Sequence, residues 1–96
     1  MLYALLCTDK PDSLDLRMQV RPDHVVYLKS LGDRLKIAGP FLDDAGKMMG
    51  SLVVVESADR AGAEAMSAND PYRKSGLFAS VEIRAWNWTI NNPEAK

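Results

Sequence analysis

Cys7 is the only cysteine among 96 residues, so no internal disulfide can form and nothing asks for an oxidising compartment. Long apolar runs are absent too. The opening Met1-Leu2-Tyr3 carries neither the basic region nor the apolar stretch of a signal peptide, and no segment reads as a membrane span. A cytoplasmic protein without a membrane partner is the expectation. No strongly basic stretch occurs and the formal net charge is -1. That argues against a nucleic-acid partner, whose phosphates call for clustered Lys and Arg. One His, one Cys and no ligand-spaced pair give no support for metal binding, and the glycines are scattered instead of forming a phosphate loop. No metal and no cofactor are therefore expected. What is present is ordinary globular material, 47% hydrophobic and 26% charged, which argues against disorder.

The length fits one domain, taken as residues 1–90 with a flexible polar tail over 91–96. Leu2 to Cys7 reads as a buried strand bounded by Thr8-Asp9-Lys10-Pro11-Asp12. Asp12 or Ser13 offers an N-cap for a helix starting near Leu14, and Pro22 either kinks that helix or opens a second one. His24, Leu28, Leu31 and Leu35 follow one helical face. Lys36 to Leu42 is a second strand, Asp43-Asp44-Ala45-Gly46 a turn, and Ser51 to Glu56 a β-branched third strand. Ser57 can cap a second helix, Ala58 to about Ala68, which Asn69-Asp70-Pro71 stops. Leu77 to Trp86 is the fourth strand, with Leu77, Ala79, Val81 and Ile83 alternating against Phe78, Ser80, Glu82 and Arg84.

The order is βαββαβ, an α+β ferredoxin-like arrangement with a four-stranded antiparallel sheet, its first and third strands central, and two helices on one face. The other face also carries Leu and Val, an unusually large apolar patch for a monomer. Its simplest cover is the sheet of a second copy, so a homodimer is expected.

Histidine titrates near neutral pH, and His24 is the only one. Its helical face turns it toward the sheet, where it is either a buried residue bonded to backbone or a proton carrier. Asp70, ahead of Pro71, is either a cap for the next turn or the partner of one ring nitrogen of His24. Arg17 and Arg21, four apart, form either a solvated stripe or a clamp for an anionic substrate. Ser51 is either an ordinary strand serine or a ligand for a substrate hydroxyl. Tyr72, Trp86 and Trp88 either line an aromatic-friendly pocket or pack at a dimer contact. Cys7, without a basic neighbour in sequence, reads as structural.

Met1-Leu2-Tyr3-Ala4, Ser13-Leu14 through Arg17, Val20-Arg21-Pro22-Asp23-His24, Ala38-Gly39-Pro40, Gly50-Ser51, Asn69-Asp70-Pro71-Tyr72 and Gly76-Leu77-Phe78 together resemble the YciI-like (YCII-related) family. The resemblance runs from Met1 to about Trp86. It implies a dimeric α+β barrel and an active site on a His–Asp pair, which falls on His24 and Asp70, with Ser51, Arg17 and Arg21 at the matching positions nearby. A branch of that family eliminates hydrogen chloride from a chlorinated hydroxyhydroquinone, and related barrels include muconolactone isomerases. The Phe41 to Gly50 connection is shorter here than in bacterial members of the family, which bears on pocket size if that loop lines the pocket. The expected function is cofactor-independent acid–base chemistry on a small cyclic or aromatic oxygenated compound. A non-catalytic small-molecule binding or regulatory module, or a purely structural dimer, are the alternatives.

Overall fold

The structure, a computed structural model, describes residues 1–95. Lys96, the last residue of the expected tail, lies outside them. The elements run β1 (Leu2–Asp9), α1 (Leu14–Ser30), a 3-10 turn (Gly32–Arg34), β2 (Leu35–Leu42), β3 (Met48–Glu56), α2 (Arg60–Ala68), a short α3 (Pro71–Lys74) and β4 (Phe78–Trp86). All pairings are antiparallel and the sheet order is β2-β3-β1-β4. The first and third strands are therefore central. Tyr3, Leu5 and Cys7 of β1, Val53 and Val55 of β3 and Ile83 of β4 face the helices, where Leu28 of α1, Leu31 just past its end and Ala63 of α2 complete the core. Ala63 is fully buried, and its small side chain lets α2 approach the sheet closely. The opposite sheet face presents Leu52, Ile37 and Phe41, the last two exposed.

Several local expectations are corrected by competing interactions. Pro22 does not open a second helix, since α1 runs from Leu14 to Ser30 with the proline inside it. Pro22 and Met18 are exposed, so the lost bond falls on the solvent side. The opposite side is anchored by Arg17, His24 and Leu28. Ser13 stands at the N-cap without a side-chain cap bond, its hydroxyl donating to the Pro11 carbonyl at 3.2 Å instead. Leu35 does not continue the helical face. Gly32, at φ 59, ends that face, and Leu35 opens β2 opposite Val55. The cap of α2 is Asp59, accepting from the Gly62 amide at 2.8 Å, and not Ser57, whose amide donates to the Met1 carbonyl at 3.0 Å.

In β4 the simple alternation fails at one step. Thr8 pairs with Ser80 and Asp9 with Phe78, which leaves Ala79 as the extra residue of a bulge. Ala79 is exposed, and Phe78 packs against the core in its place. The Trp88 indole donates to the Ile90 carbonyl at 3.0 Å and Glu94 pairs with Lys36 at 2.9 Å.

Gly50 shows how tightly the central strands meet. A Cβ there would lie 2.4 Å from the Cys7 carbonyl oxygen, which is backbone and cannot swing away. Gly50→Ala is expected to destabilise the protein by about 1–3 kcal/mol, as overpacking does. Urea denaturation measures it, with an unchanged midpoint as the contrary result.

Candidate active site

The site is assembled from the middle of α1, the start of α3 and the ends of β1 and β3. Pro71 opens α3 at its first turn and holds Asp70 in extended geometry, φ -65 and ψ 127, as a residue before proline must be. Asp70 then caps α3, its Oδ1 accepting from the Tyr72 amide at 2.9 Å. The same carboxylate takes the Nδ1–H of His24, at 2.8 Å to Oδ1 and 3.0 Å to Oδ2. The two readings of Asp70 are thus not alternatives, because the cap bond fixes the carboxylate that meets the imidazole. His24 is buried, and among the described residues it bonds to this side chain and not to backbone.

Tyr72 follows two residues later and lies flat on the imidazole, ring centres 3.8 Å apart and planes 16° apart. The ring of His24 is therefore held by its edge and by its face. A carboxylate on Nδ1 selects the tautomer with the proton on Nδ1 and a lone pair on Nε2. Nε2 has no hydrogen-bond partner among the described residues and is not sealed from solvent.

Arg17 lies two turns before His24 on the same side of α1, and it is buried. Its Nη1 donates to both carboxylate oxygens of Asp9, at 3.1 and 3.0 Å, and its Nη2 to Ser51 Oγ at 2.6 Å. The guanidinium also sits over the Tyr72 ring, 4.8 Å from its centre. Arg21, one turn further on, is exposed and has no ion pair among the described residues.

Arg17, Arg21, His24, Ser51 and Tyr72 line one cavity of about 190 Å³, walled on the sheet side by residues that include Pro40 and Met48. Drug-sized ligands occupy roughly 300 Å³ or more, so this cavity suits something smaller. Asp70 stands behind the imidazole. Trp86 and Trp88 do not line the cavity. They pack on each other with ring centres 5.9 Å apart, and Trp86 pairs with Leu2 at the far end of β1. A larger open groove of about 770 Å³ lies between the end of α1 and α2, away from the His24–Asp70 pair. Sequence reasoning missed Asp9, and Met48 and Pro40 as walls. For Asp9 the only signal was a carboxylate at a strand end eight residues before an arginine.

Burial raises the Tyr72 phenol above its ordinary value, against the opposing pull of Arg17 and Arg21, so its hydroxyl remains a donor through neutral and mildly alkaline pH. Burial, with smaller contributions from the Asp70 and Asp9 charges, pushes the Cys7 thiol up to about 12. Folded Cys7 is thus expected to resist iodoacetamide at pH 8 and to react at an ordinary rate in denaturant, as mass spectrometry of the adduct will report. The raised value also carries a sign. Its contribution to stability is complete below pH 9.0, the ordinary thiol value, and is lost as pH rises from there toward about 12.

Fold and site together define a ferredoxin-like α+β domain with a His–Asp pair beside a small cavity. The chain belongs to the YCII-related family: the YCII-related domain model matches residues 1–87. Protein YciI of Escherichia coli O6:H1 is 37% identical over 92 residues, covering 88% of this chain and 94% of that relative. Among solved structures, the 5-chloro-2-hydroxyhydroquinone dehydrochlorinase of Burkholderia phenoliruptrix AC1100, in complex with 2,5-dihydroxybenzoquinone, superposes with a TM-score of 0.85. It is 30% identical, and the match covers 96% of this chain and 99% of that one. An antibiotic biosynthesis monooxygenase shares the fold at a TM-score of 0.57 and 14% identity, covering 93% and 99% of the two chains. Among the described residues no helix is long and apolar enough to cross a membrane.

Proposed function

We propose that this protein is a cofactor-independent acid–base enzyme, a lyase or isomerase acting on a small cyclic or aromatic oxygenated compound. The observation that carries the reading is the 2.8 Å bond from His24 Nδ1 to Asp70, with the ring's other nitrogen left without a partner among the described residues beside the cavity. In this mechanism His24 Nε2 takes a proton from a ring hydroxyl or an acidic ring carbon. Asp70 stabilises the imidazolium that forms. The electron pair released is used either to expel a leaving group from the ring or to shift a double bond. The proton on His24 then passes to the leaving group or to a second ring position. Arg21 stabilises the negative charge that develops on one substrate oxygen, and Ser51 and Tyr72 contribute neutral hydroxyl donors. The dehydrochlorinase at 30% identity supports an elimination of this kind.

The apolar sheet face opposite the helices, with exposed Ile37 and Phe41, supports a homodimer formed through that face. An unpaired, buried Cys7 fits a reducing cytoplasm.

The test is a panel of chlorinated hydroquinones, other phenols and lactones, followed by ultraviolet absorbance and by chloride release. Turnover of at least one member is expected. Tight binding across the panel with no chemical change over long incubation would show a binding module instead.

A further inference from the structure

Asp9, Arg17 and Ser51 form a buried polar chain, each 9% exposed or less. An ion pair at such depth commonly stabilises less than apolar residues of the same volume. The Arg17 Nε–H is also sealed away without a partner among the described residues, which a buried polar group seldom is. Arginine only donates. Ser51 Oγ therefore accepts from Arg17 Nη2 at 2.6 Å, and its own hydrogen is left for another acceptor. Ser51 lines the cavity beside His24 and Arg21. Asp9 also cancels the Arg17 charge, at 3.0 Å.

We propose that Asp9 is a positioning residue, acting through Arg17 to hold Ser51 as a fixed hydrogen-bond donor to a ligand oxygen in this cavity, while Arg21 supplies the cation that the ligand meets. The ligand class is then a small planar compound with one anionic oxygen and a second oxygen that accepts from Ser51. This rests on the cavity being the ligand site of the proposed enzyme.

The test titrates the full-length protein with 2,5-dihydroxybenzoquinone, read by the change in its visible absorbance. Ser51→Ala is expected to weaken binding about tenfold, a factor one lost hydrogen bond readily gives. Asp9→Asn weakens it by a similar factor, and the double variant no more than Ser51→Ala alone. Arg21→Gln weakens binding and removes most of its salt dependence. Wild-type affinity in Asp9→Asn, or losses that multiply in the double variant, overturn the relay. If Asp9→Asn does not fold, the Asp9→Leu/Arg17→Met pair replaces both charges together. It should bind as weakly as Ser51→Ala, and wild-type affinity there overturns the proposal. A readout without ligand is the Ser51 13Cβ resonance, expected to move in Asp9→Asn and in Arg17→Lys alike. An unmoved resonance overturns the relay even when the probe binds nowhere, whereas failure of the wild type to bind counts against the enzymatic reading alone.

Discussion

His24→Gln should abolish nearly all turnover while leaving the fold in place. Glutamine fills a similar space and can still donate to Asp70, but it cannot carry a proton between substrate positions. General acid–base groups contribute roughly 10²–10⁴ in rate, and a loss of that order is expected in kcat. The melting temperature should fall by only a few degrees, since the Asp70 cap on α3 survives. The contrary outcome is turnover by His24→Gln or His24→Ala equal to wild type, which would remove this mechanism whatever the substrate proves to be.

Asp70→Asn and Asp70→Ala should separate two roles that one carboxylate carries. Asparagine keeps an oxygen for the Tyr72 amide, so α3 remains capped. It brings no charge to stabilise the imidazolium, and its NH₂ group beside Nδ1 favours the wrong tautomer. The expectation is a loss of about 10²–10⁴ in kcat with near-normal stability. Alanine should lose the same activity and, in addition, about 1–2 kcal/mol of stability, as an N-cap does when its side chain is removed. Thermal melts and steady-state kinetics on the two variants provide the comparison. Equal activity losses with unequal melting temperatures support the account, and an Asp70→Asn variant with full activity contradicts it.

The frame of the fold was legible because it rests on period and punctuation. The β-branched run at Val53-Val54-Val55, the Ala-rich segment ending near Ala68 and the stop at Asn69-Asp70-Pro71 each have a local cause, and each appears in the structure. What was not legible depends on contacts between distant segments. Pro22 is helical because of the side of α1 that packs on the sheet, not because of its own neighbours. The bulge that turns Ala79 outward depends on the pairing of β4 with β1. The candidate site divides in the same way. His24 and Asp70 stood out by residue type and setting, and the structure brings them together across 46 positions of chain. Arg17 and Arg21 looked equivalent at a spacing of four. Only the fold distinguishes them, burying the first against Asp9 and Ser51 and leaving the second exposed at the cavity. Asp9 carried no sequence signal strong enough to raise it above a strand-end carboxylate.

The claim on which all of this depends is that the lone imidazole keeps a proton on the nitrogen facing Asp70 and offers a bare nitrogen to whatever enters the cavity. The 15N resonances of the His24 ring, followed while 2,5-dihydroxybenzoquinone or another cavity ligand is added, measure it directly. The account predicts a protonated Nδ1 coupled to Asp70 and an unprotonated Nε2 whose resonance moves on binding. A ring with its proton on Nε2, unresponsive to every ligand that enters, would contradict it.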